Sequence, residues 1–318
     1  MTPEAARRLL ASLGARPVSG AGGLELQRDA SADPPRLVDA ELRESRRLEV
    51  RAVPDGQAAR VDAFLDGRQA SQVIAHAGLV PLVHGHVGAV IRARHDRTLS
   101  TWRASQTTAI YLPRTVVAPD VWARCAEVTE VVDTSRDAAD GPQHPLAWAD
   151  RAYHQVQAAR EALEHALAAE WVATQGGLLY VDGGIGKDDR VATSPQVVGV
   201  IKSHRTLYVA GDAVGLLASL RAGERTTAFA ITSPRRTTVL SWYLRLRDPD
   251  GREPLFGLVR LEVATREGAA AGELTAHLDA ISRGVLAERA PVALPDRRWA
   301  VMSYGIRDCE EYLRAVMA

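Results

Sequence analysis

Two aspartates in this sequence each follow a short apolar run and are each followed by glycine. Asp66 closes the segment AFLDG, and Asp182 closes LYVDG. A carboxylate at the end of a buried strand is aimed rigidly, and the glycine after it lets a ligand approach closely. Asp-Gly is also a common turn sequence, so either motif alone is weak. The repetition favours one shared site that holds Mg²⁺ or Mn²⁺, two ions that prefer oxygen ligands.

A pair of such ions activates water and stabilises the leaving oxygen in phosphodiester hydrolysis. A site of this kind needs a third carboxylate, and the helix predicted before Asp182 offers Glu161 and, one turn later, Glu164. The alternative is that both glutamates lie on the solvent-exposed face of the helix, as most glutamates do. We take Glu161 as the expected third carboxylate.

Lysine is rare in this chain. Of its 39 lysine and arginine residues, only Lys187 and Lys202 are lysines. Lys202 ends the apolar run VVGVIK, where a compact point charge can orient an attacking water or hold a phosphate. A strand-end lysine whose charge simply reaches solvent is the alternative. His204 and Arg205 follow closely and are candidate phosphate contacts.

Other motifs point to chemistry less strongly. The run GGIGK lacks phosphate-loop spacing, because aspartate follows Lys187. His84 and His86 in VHGHVG make a weak zinc pattern, since no cysteine or third histidine has the usual spacing. The sequence contains no G-x-S-x-G nucleophile motif.

Composition sets the class of protein. With 318 residues, 46% hydrophobic and 25% charged, the chain is long enough for one large globular domain. Its net charge of zero gives no global basic field, although a local basic groove remains possible. No apolar run approaches the roughly 20 residues of a membrane span. The distant Cys125 and Cys309 and the absence of a signal-type apolar core at the N-terminus favour a cytoplasmic location.

The elements that must position these residues follow from periodicity. The N-terminal part, residues 1–54, is predicted to be a helical segment, with helices over 4–13 and 37–53 and a loop over 18–38. The main domain, residues 55–318, begins with a strand over 61–65 that ends in a turn at Asp66-Gly67. Further β-rich segments run to about residue 114, and the polar stretch 133–145 is predicted to be an internal loop.

The second half of the domain is predicted in more detail. A long helix over 145–174 carries a core stripe at Ala152, Val156, Ala159, Leu163 and Ala166. Strands are predicted in LLYVD and QVVGVIKSH, with a loop over 186–195 between them and a short strand in TLYVAG after them. Antiparallel strands are predicted in TTAFAIT, TTVLSWYLRLRD and PLFGLVRLEVA, and helices over 272–288 and 307–317.

Several motifs, taken in order, resemble a known family. FLDGRQ, a long helix with an inward glutamate, YVDGG, VVGVIKSHRTLY, SWYLRLR and SYGIRDCEEYLRA together resemble the NurA nuclease family. The resemblance covers the chain from about residue 55 to the C-terminus, and its specificity lies in the order of the motifs.

This resemblance implies an α/β fold: an RNase H-like mixed β-sheet core flanked by helices, with extra antiparallel β-hairpins. It implies a Mn²⁺-dependent (or Mg²⁺-dependent) nuclease with two ions, acting on DNA ends as an exonuclease and on single strands as an endonuclease. It also implies a homodimer that works with a hexameric HerA-type translocase ATPase in DNA end resection, repair or phage defence.

Matched residue by residue, Asp66 and Asp182 take the positions of the two metal-binding aspartates. Glu161 takes that of the helix carboxylate, and Lys202 that of the basic residue after the second aspartate. Many family members carry a Tyr and then a His near the C-terminus. Tyr304 is the candidate for the first, but GIRDCEEY has no His, and Asp308 or Glu310 would have to replace it. The candidate DNA contacts are Arg68, Lys187, His204, Arg205 and Tyr304.

Two other readings stay open. A non-catalytic adaptor of the same fold could dock on an ATPase ring and only bind DNA, and the missing terminal His favours it. A nuclease of the PD-(D/E)xK type would use Asp182 and Lys202, but it needs an acid where this chain has Val200.

Lys202→Arg separates a catalytic lysine from a surface lysine. Arginine keeps the charge but is larger and forked, so a surface position tolerates it, whereas a site built for a compact donor does not. We expect the variant to lose most Mn²⁺-dependent cleavage of single-stranded DNA. Wild-type activity in the variant would assign Lys202 to the surface.

Overall fold

The computed structural model describes residues 3–12, 16–17, 34–136, 144–209, 211, 213–234, 236–249, 253–266, 268–289 and 300–317. Its strands are β1 (Arg16–Pro17), β2 (Arg36–Leu37), β3 (Glu41–Leu42), β4 (Val50–Ala52), β5 (Val61–Ala77), β6 (Val80–His95), β7 (Thr98–Leu112), β8 (Glu130–Asp133), β9 (Leu178–Asp182), β10 (Val197–Ile201), β11 (Thr206–Leu207), β12 (Glu224–Thr226), β13 (Phe229–Ser233), β14 (Arg236–Arg245) and β15 (Leu258–Ala264). Its helices are α1 (Pro3–Ser12), α2 (Pro119–Val128), α3 (Pro145–Thr174), α4 (Asp189–Ala192), α5 (Ala213–Ser219), α6 (Ala271–Ala287) and α7 (Tyr304–Val316).

One large mixed sheet organises the chain. Its strand order is β3-β13-β14-β15-β10-β9-β5-β6-β7-β8. The strands β5, β6 and β7 form an antiparallel meander. After α3 the chain returns through β9, which is parallel to β5, and β10, which is parallel to β9. This is the strand order of an RNase H-like core, and the antiparallel β13, β14 and β15 extend it. The predicted fold class is confirmed.

The central strands are buried on both faces, which explains their continuous apolar sequences. On one face, Leu65 and Val181 belong to a core that includes Leu167 and Trp171 of α3. On the other face, the aromatic pair Phe64 and Tyr180 belongs to a core that also contains residues of α6 and α7. The part of β5 that pairs with β9, and β9 itself, are therefore covered by helices on both faces.

The long helix α3 has the predicted bounds, residues 145–174. Pro145 sits at its first turn, where a missing N–H costs nothing, and the ring of His144 accepts a hydrogen bond from the Leu146 N–H at 3.1 Å. The predicted core stripe holds from Ala152 to Leu163. It is wrong at Ala166, which is exposed, because the buried face continues at Leu167, four residues after Leu163.

The predicted helix over 37–53 is wrong. This segment contributes β2, β3 and β4, which pair with β11, β13 and β12. The buried Glu44 explains the outcome, because its carboxylate binds the Arg225 guanidinium at 2.7 and 2.8 Å and accepts the Ala228 N–H at 2.9 Å. Tertiary pairing overrides the helical propensity of this charged stretch. Within the described residues, the predicted N-terminal helical segment is helical only over α1.

The predicted turn at Asp66-Gly67 is also wrong. β5 continues through both residues to Ala77, because residues 68–77 remain paired with β6, and the chain reverses only around Gly78, whose φ is +61°. The strand predicted through QVVGVIKSH ends at Ile201, and the one in TLYVAG covers only Thr206–Leu207.

The predicted loops are partly tested. The loop over 186–195 contains the short helix α4, and α2 was not predicted. Residues 18–33 of the predicted loop 18–38 and residues 137–143 of the predicted loop 133–145 lie outside the described residues. Among the helices of the described ranges, none combines the length and apolarity that crossing a bilayer requires.

A close contact between α7 and β5 gives a test of this packing. A Cβ added at Gly305 would lie 2.2 Å from Cδ2 of the buried Phe64 ring. We expect Gly305→Ala to lower the free energy of unfolding by about 1–3 kcal/mol through overpacking. The matched control is Gly215→Ala in α5, where a Cβ meets nothing within 4 Å. Denaturant titration should show a loss only for Gly305→Ala, and equal stability of the two variants would contradict the packing described.

Candidate active site

The two predicted aspartates lie side by side. β5 and β9 run parallel with Leu65 opposite Val181, so the next residue on each strand is an aspartate, Asp66 and Asp182. Neighbouring strands are about 5 Å apart. Asp66 lies within β5 and Asp182 is the last residue of β9, where Gly183 at φ +141° turns the chain away. The structure therefore brings the two Asp-Gly motifs to one place.

Burial makes this pair of carboxylates electrostatically demanding. The pKa of Asp66 is raised well above its usual value, first by burial and then by the charge of Asp182, with smaller contributions from Glu164 and Glu310. Lys202 acts in the opposite direction. Two adjacent carboxylates in a low dielectric cannot both ionise unless positive charge is supplied. The pair is therefore suited to a cation.

Lys202 supplies part of that charge. It follows β10 directly, and Val200 of that strand lies opposite Asp182. The Nζ of Lys202 donates a hydrogen bond to Oδ2 of Asp182 at 2.7 Å, and both side chains are largely buried. The predicted association of Lys202 with the second aspartate is thus present in the fold.

Glu164 is the helix carboxylate that lies nearer to the aspartates. Its carboxylate covers Gly67, where an added Cβ would lie only 2.1 Å from Oε1. Glycine at 67 is required by this close approach. The pKa of Glu164 is raised to about 7, mainly by burial, while Arg160 opposes the rise and Glu161 and Asp182 add to it.

Glu161 has a different environment. It forms an ion pair with Lys187 and accepts a hydrogen bond from Gln157 at 3.1 Å. These partners outweigh its burial, so its pKa lies below its usual value. Glu161 and Glu164 nevertheless border the same small cavity, as does Asp182. We call this space, about 240 Å³ in volume, the catalytic cavity after the predicted catalytic residues Glu161 and Asp182 that border it; Asp66 and Lys202 are not among the residues that line it.

Two residues of β15, Arg260 and Glu262, also line the catalytic cavity and were not predicted from the sequence. Glu262 is buried, accepts the Ile185 N–H at 2.9 Å and binds Nη1 of Arg260 at 2.6 Å. It thereby fixes the loop after Asp182. The signal was visible as a buried ion pair in the otherwise apolar strand LVRLEVA, since charged residues are rarely buried without a partner or a role.

A larger groove of about 1430 Å³ adjoins the catalytic cavity. Its lining includes six arginines and no aspartate or glutamate among the described residues: Arg36, Arg68, Arg160, Arg205, Arg236 and Arg260. Arg160, Arg236 and Arg260 also border the catalytic cavity, so the two spaces share part of their lining and are neighbours. We call this the arginine groove. A net charge of zero for the whole chain is thus compatible with a local basic surface, and the arginine groove is such a surface.

The predicted DNA contacts fall in different places. Arg68 and Arg205 line the arginine groove. Lys187 borders the catalytic cavity and is paired with Glu161. His204 is mostly buried, with Nε2 2.9 Å from the carbonyl oxygen of Leu258. Tyr304 is exposed at the start of α7 and lines neither space.

The two candidates for the missing C-terminal His are also separated. Asp308 forms an ion pair with Arg92 at 2.5 Å. Glu310, by contrast, contributes to the raised pKa of Asp66. Of the two, Glu310 is the acid whose charge acts on Asp66.

The donor chemistry of this site fits a hard divalent cation. Asp66, Asp182 and Glu164 offer carboxylate oxygens, which Mg²⁺ and Mn²⁺ prefer. In the part of the chain that the structure describes, however, no three such side chains converge as a ready-made ligand set. Lys202 holds Asp182 and Arg160 holds Glu164, so two of the three carboxylates are paired with cationic side chains.

Comparisons with known proteins were made on sequence and on structure. No protein-family model matches the chain, and no curated protein sequence is similar to it. Among solved structures, the chain is similar to the NurA nuclease from Sulfolobus solfataricus, with a TM-score of 0.43 and 13% identity over 83% of this chain and 86% of that one. It is also similar to the catalytic domain of human endonuclease V, with a TM-score of 0.29 and 15% identity over 81% and 84% of the two chains. At these identities neither match assigns a residue role here.

The raised pKa of Glu164 predicts how stability depends on pH without divalent ions. The unfolded chain releases this proton near its usual pKa of 4.5, the folded chain near 7. The contribution of Glu164 to the free energy of unfolding should therefore be fully present below pH 4.5 and be lost as the pH rises to 7, by up to roughly 3 kcal/mol. Glu164→Gln should reduce this decline, measured by denaturant unfolding in a chelating buffer. Glu273→Gln, at an exposed position of α6, is the control and should keep the decline; an unchanged decline in Glu164→Gln would contradict the assignment.

Proposed function

We propose that this chain is a metal-dependent nuclease that hydrolyses phosphodiester bonds in DNA. The observation that carries the proposal is the parallel register that sets Asp66 beside Asp182, with Lys202 bonded to the second aspartate. A buried acid pair beside a lysine, next to an arginine-lined groove, is an arrangement suited to phosphate chemistry.

The metal ligands in this proposal are Asp66 and Asp182, with a glutamate of α3. Glu164 is the better placed glutamate, because it lies over Gly67 and acts on both aspartates, while Glu161 remains the alternative. When bound, Mn²⁺ or Mg²⁺ would activate water and stabilise the leaving oxygen.

The chain's own residues position the substrate. Lys202, which directly follows β10, can donate to a phosphate oxygen while it holds Asp182 in place, because an ammonium group has three donors. Arg236 and Arg260 border both the catalytic cavity and the arginine groove, where they can neutralise the flanking phosphates. Glu262 fixes Arg260 and the backbone after Asp182, so these groups are held before a substrate binds.

The arginine groove supports a nucleic-acid substrate. An anionic strand is the natural occupant of a groove with six arginines and no acid in its described lining. Arginine binds phosphate through two parallel hydrogen bonds, and such contacts carry no base specificity. This favours cleavage that is largely independent of sequence.

The motif resemblance extends the proposal. We infer a preference for Mn²⁺, single-strand endonuclease and exonuclease activity on DNA ends, and a homodimer that receives DNA from a HerA-type hexameric ATPase in end resection or phage defence. The second candidate is a DNA-binding adaptor without catalysis, favoured by the absence of a terminal His in GIRDCEEY.

Removing the charge of either aspartate tests the proposal. We expect Asp66→Asn and Asp182→Asn each to reduce Mn²⁺-dependent cleavage of single-stranded DNA by more than about a hundredfold, because metal ligands matter at least as much as their outer partners. The exposed Asp55→Asn is the matched control and should cleave normally. Folded Asp66→Asn and Asp182→Asn proteins with wild-type activity would reject the nuclease mechanism. DNA binding without cleavage in the wild type would favour the adaptor.

A further inference from the structure

Arg160 lies at the junction between the arginine groove and the catalytic cavity, and it borders both. On the groove side, its Nε donates to Oε1 of Gln69 at 3.1 Å. On the cavity side, its Nη1 donates to Oε1 of Glu164 one helical turn away. Its Nη2 also lies 3.8 Å from Oε1 of Glu161. One guanidinium thus joins the groove wall to the carboxylates of α3.

The contact with Arg160 occupies the carboxylate that we assign to the metal. Glu164 is buried, and an ionised buried carboxylate is costly unless it is paired. Arg160 provides that pairing in the protein alone. The same contact competes with any divalent cation for Oε1 of Glu164, which agrees with the absence of a ready-made ligand set among the described residues.

We propose that Arg160 couples the binding of a nucleic-acid strand to the assembly of the metal site. This proposal rests on the proposed nuclease function. A phosphate in the arginine groove draws the Arg160 guanidinium away from Glu164, and the released carboxylate then becomes available to the metal ion. In the protein without DNA, Arg160 keeps Glu164 paired, and metal binds weakly.

Three features make this exchange of partners feasible. The guanidinium is a planar fork that fits a phosphate as well as a carboxylate, and it stays charged throughout. Its side chain is 21% exposed, so it is open to the groove rather than locked in the core. Gln69, its groove-side partner, is neutral, so moving toward a phosphate loses no ion pair on that side.

The consequence is positive cooperativity between strand and metal. If only the strand binds, Arg160 leaves Glu164 and the buried carboxylate has no cationic partner. If only the metal binds, the Arg160 guanidinium stays beside Glu164 and repels the metal ion. Each ligand therefore strengthens the binding of the other by the same factor. Arg160 is a positioning residue in this scheme, since it acts through Glu164.

Mn²⁺ titration followed by electron paramagnetic resonance tests this on the full chain. We expect Arg160→Met, which keeps the apolar stem, to bind Mn²⁺ about tenfold more tightly than the wild type without DNA, because one charged hydrogen bond no longer competes. Arg236→Met is the matched control, because Arg236 borders the same two spaces and takes part in no ion pair within the described residues. It should change Mn²⁺ affinity by less than about threefold, reporting only the general loss of positive charge.

A second pair of measurements assigns the gain to Glu164. Adding Glu164→Gln to Arg160→Met should remove the gain. A short phosphorothioate oligothymidylate should tighten Mn²⁺ binding to the wild type, after subtraction of the ions that the oligonucleotide binds alone, but should add much less in Arg160→Met.

The outcomes separate this proposal from the proposed function. The coupling is overturned if Arg160→Met binds Mn²⁺ no more tightly than the wild type, or if its gain in Mn²⁺ affinity only equals that of Arg236→Met. In either case, DNA cleavage by the wild type would still support the nuclease function. A wild type that neither binds Mn²⁺ nor cleaves DNA overturns both.

Discussion

The parallel pairing of β5 with β9 sets two aspartates at the same level on neighbouring strands, where little water reaches them. Like charges so close in a low dielectric are unstable without compensation, as the raised pKa of Asp66 reflects. Lys202 compensates in part through Asp182. The two aspartates together carry more negative charge than Lys202 neutralises, so they favour a bound cation. The glutamates of α3 can add ligands for that cation, and the arginine groove favours an anionic substrate beside it.

The fold delivers the remaining groups to this pair from several directions. α3 carries Arg160 and Glu164 over Gly67, and β15 carries Arg260 and Glu262 beside the loop that follows Asp182. α7 packs on the opposite face, where Gly305 touches Phe64 and Glu310 adds to the field at Asp66. Helix and sheet thus surround Asp66 and the carboxyl end of β9, and the arginine groove, whose lining includes Gly67 and Ile201, lies beside them.

Local patterns predicted the elements whose residues bury a continuous apolar face. α3, β9 and β10 are of this kind, and Asp182 and Lys202 lie at the strand ends where the sequence places them, as the last residue of β9 and the residue after β10. Periodicity failed where long-range contacts decide the structure. Residues 37–53 look helical, yet Glu44 pairs with Arg225 across 181 positions and draws the segment to the sheet. Asp66-Gly67 looks like a turn, yet pairing with β6 continues the strand. Choosing Glu164 over Glu161 required the position of Gly67, which spacing along one helix cannot supply.

The central claim is that Asp66 and Asp182 share a divalent cation. Anomalous diffraction from crystals grown with Mn²⁺ and a phosphorothioate oligonucleotide tests it most directly. We expect a manganese peak bonded to both aspartates, with Oε1 of Glu164 as a further ligand and any second ion roughly 4 Å away. A strand bound in the arginine groove with no manganese between Asp66 and Asp182 would contradict it.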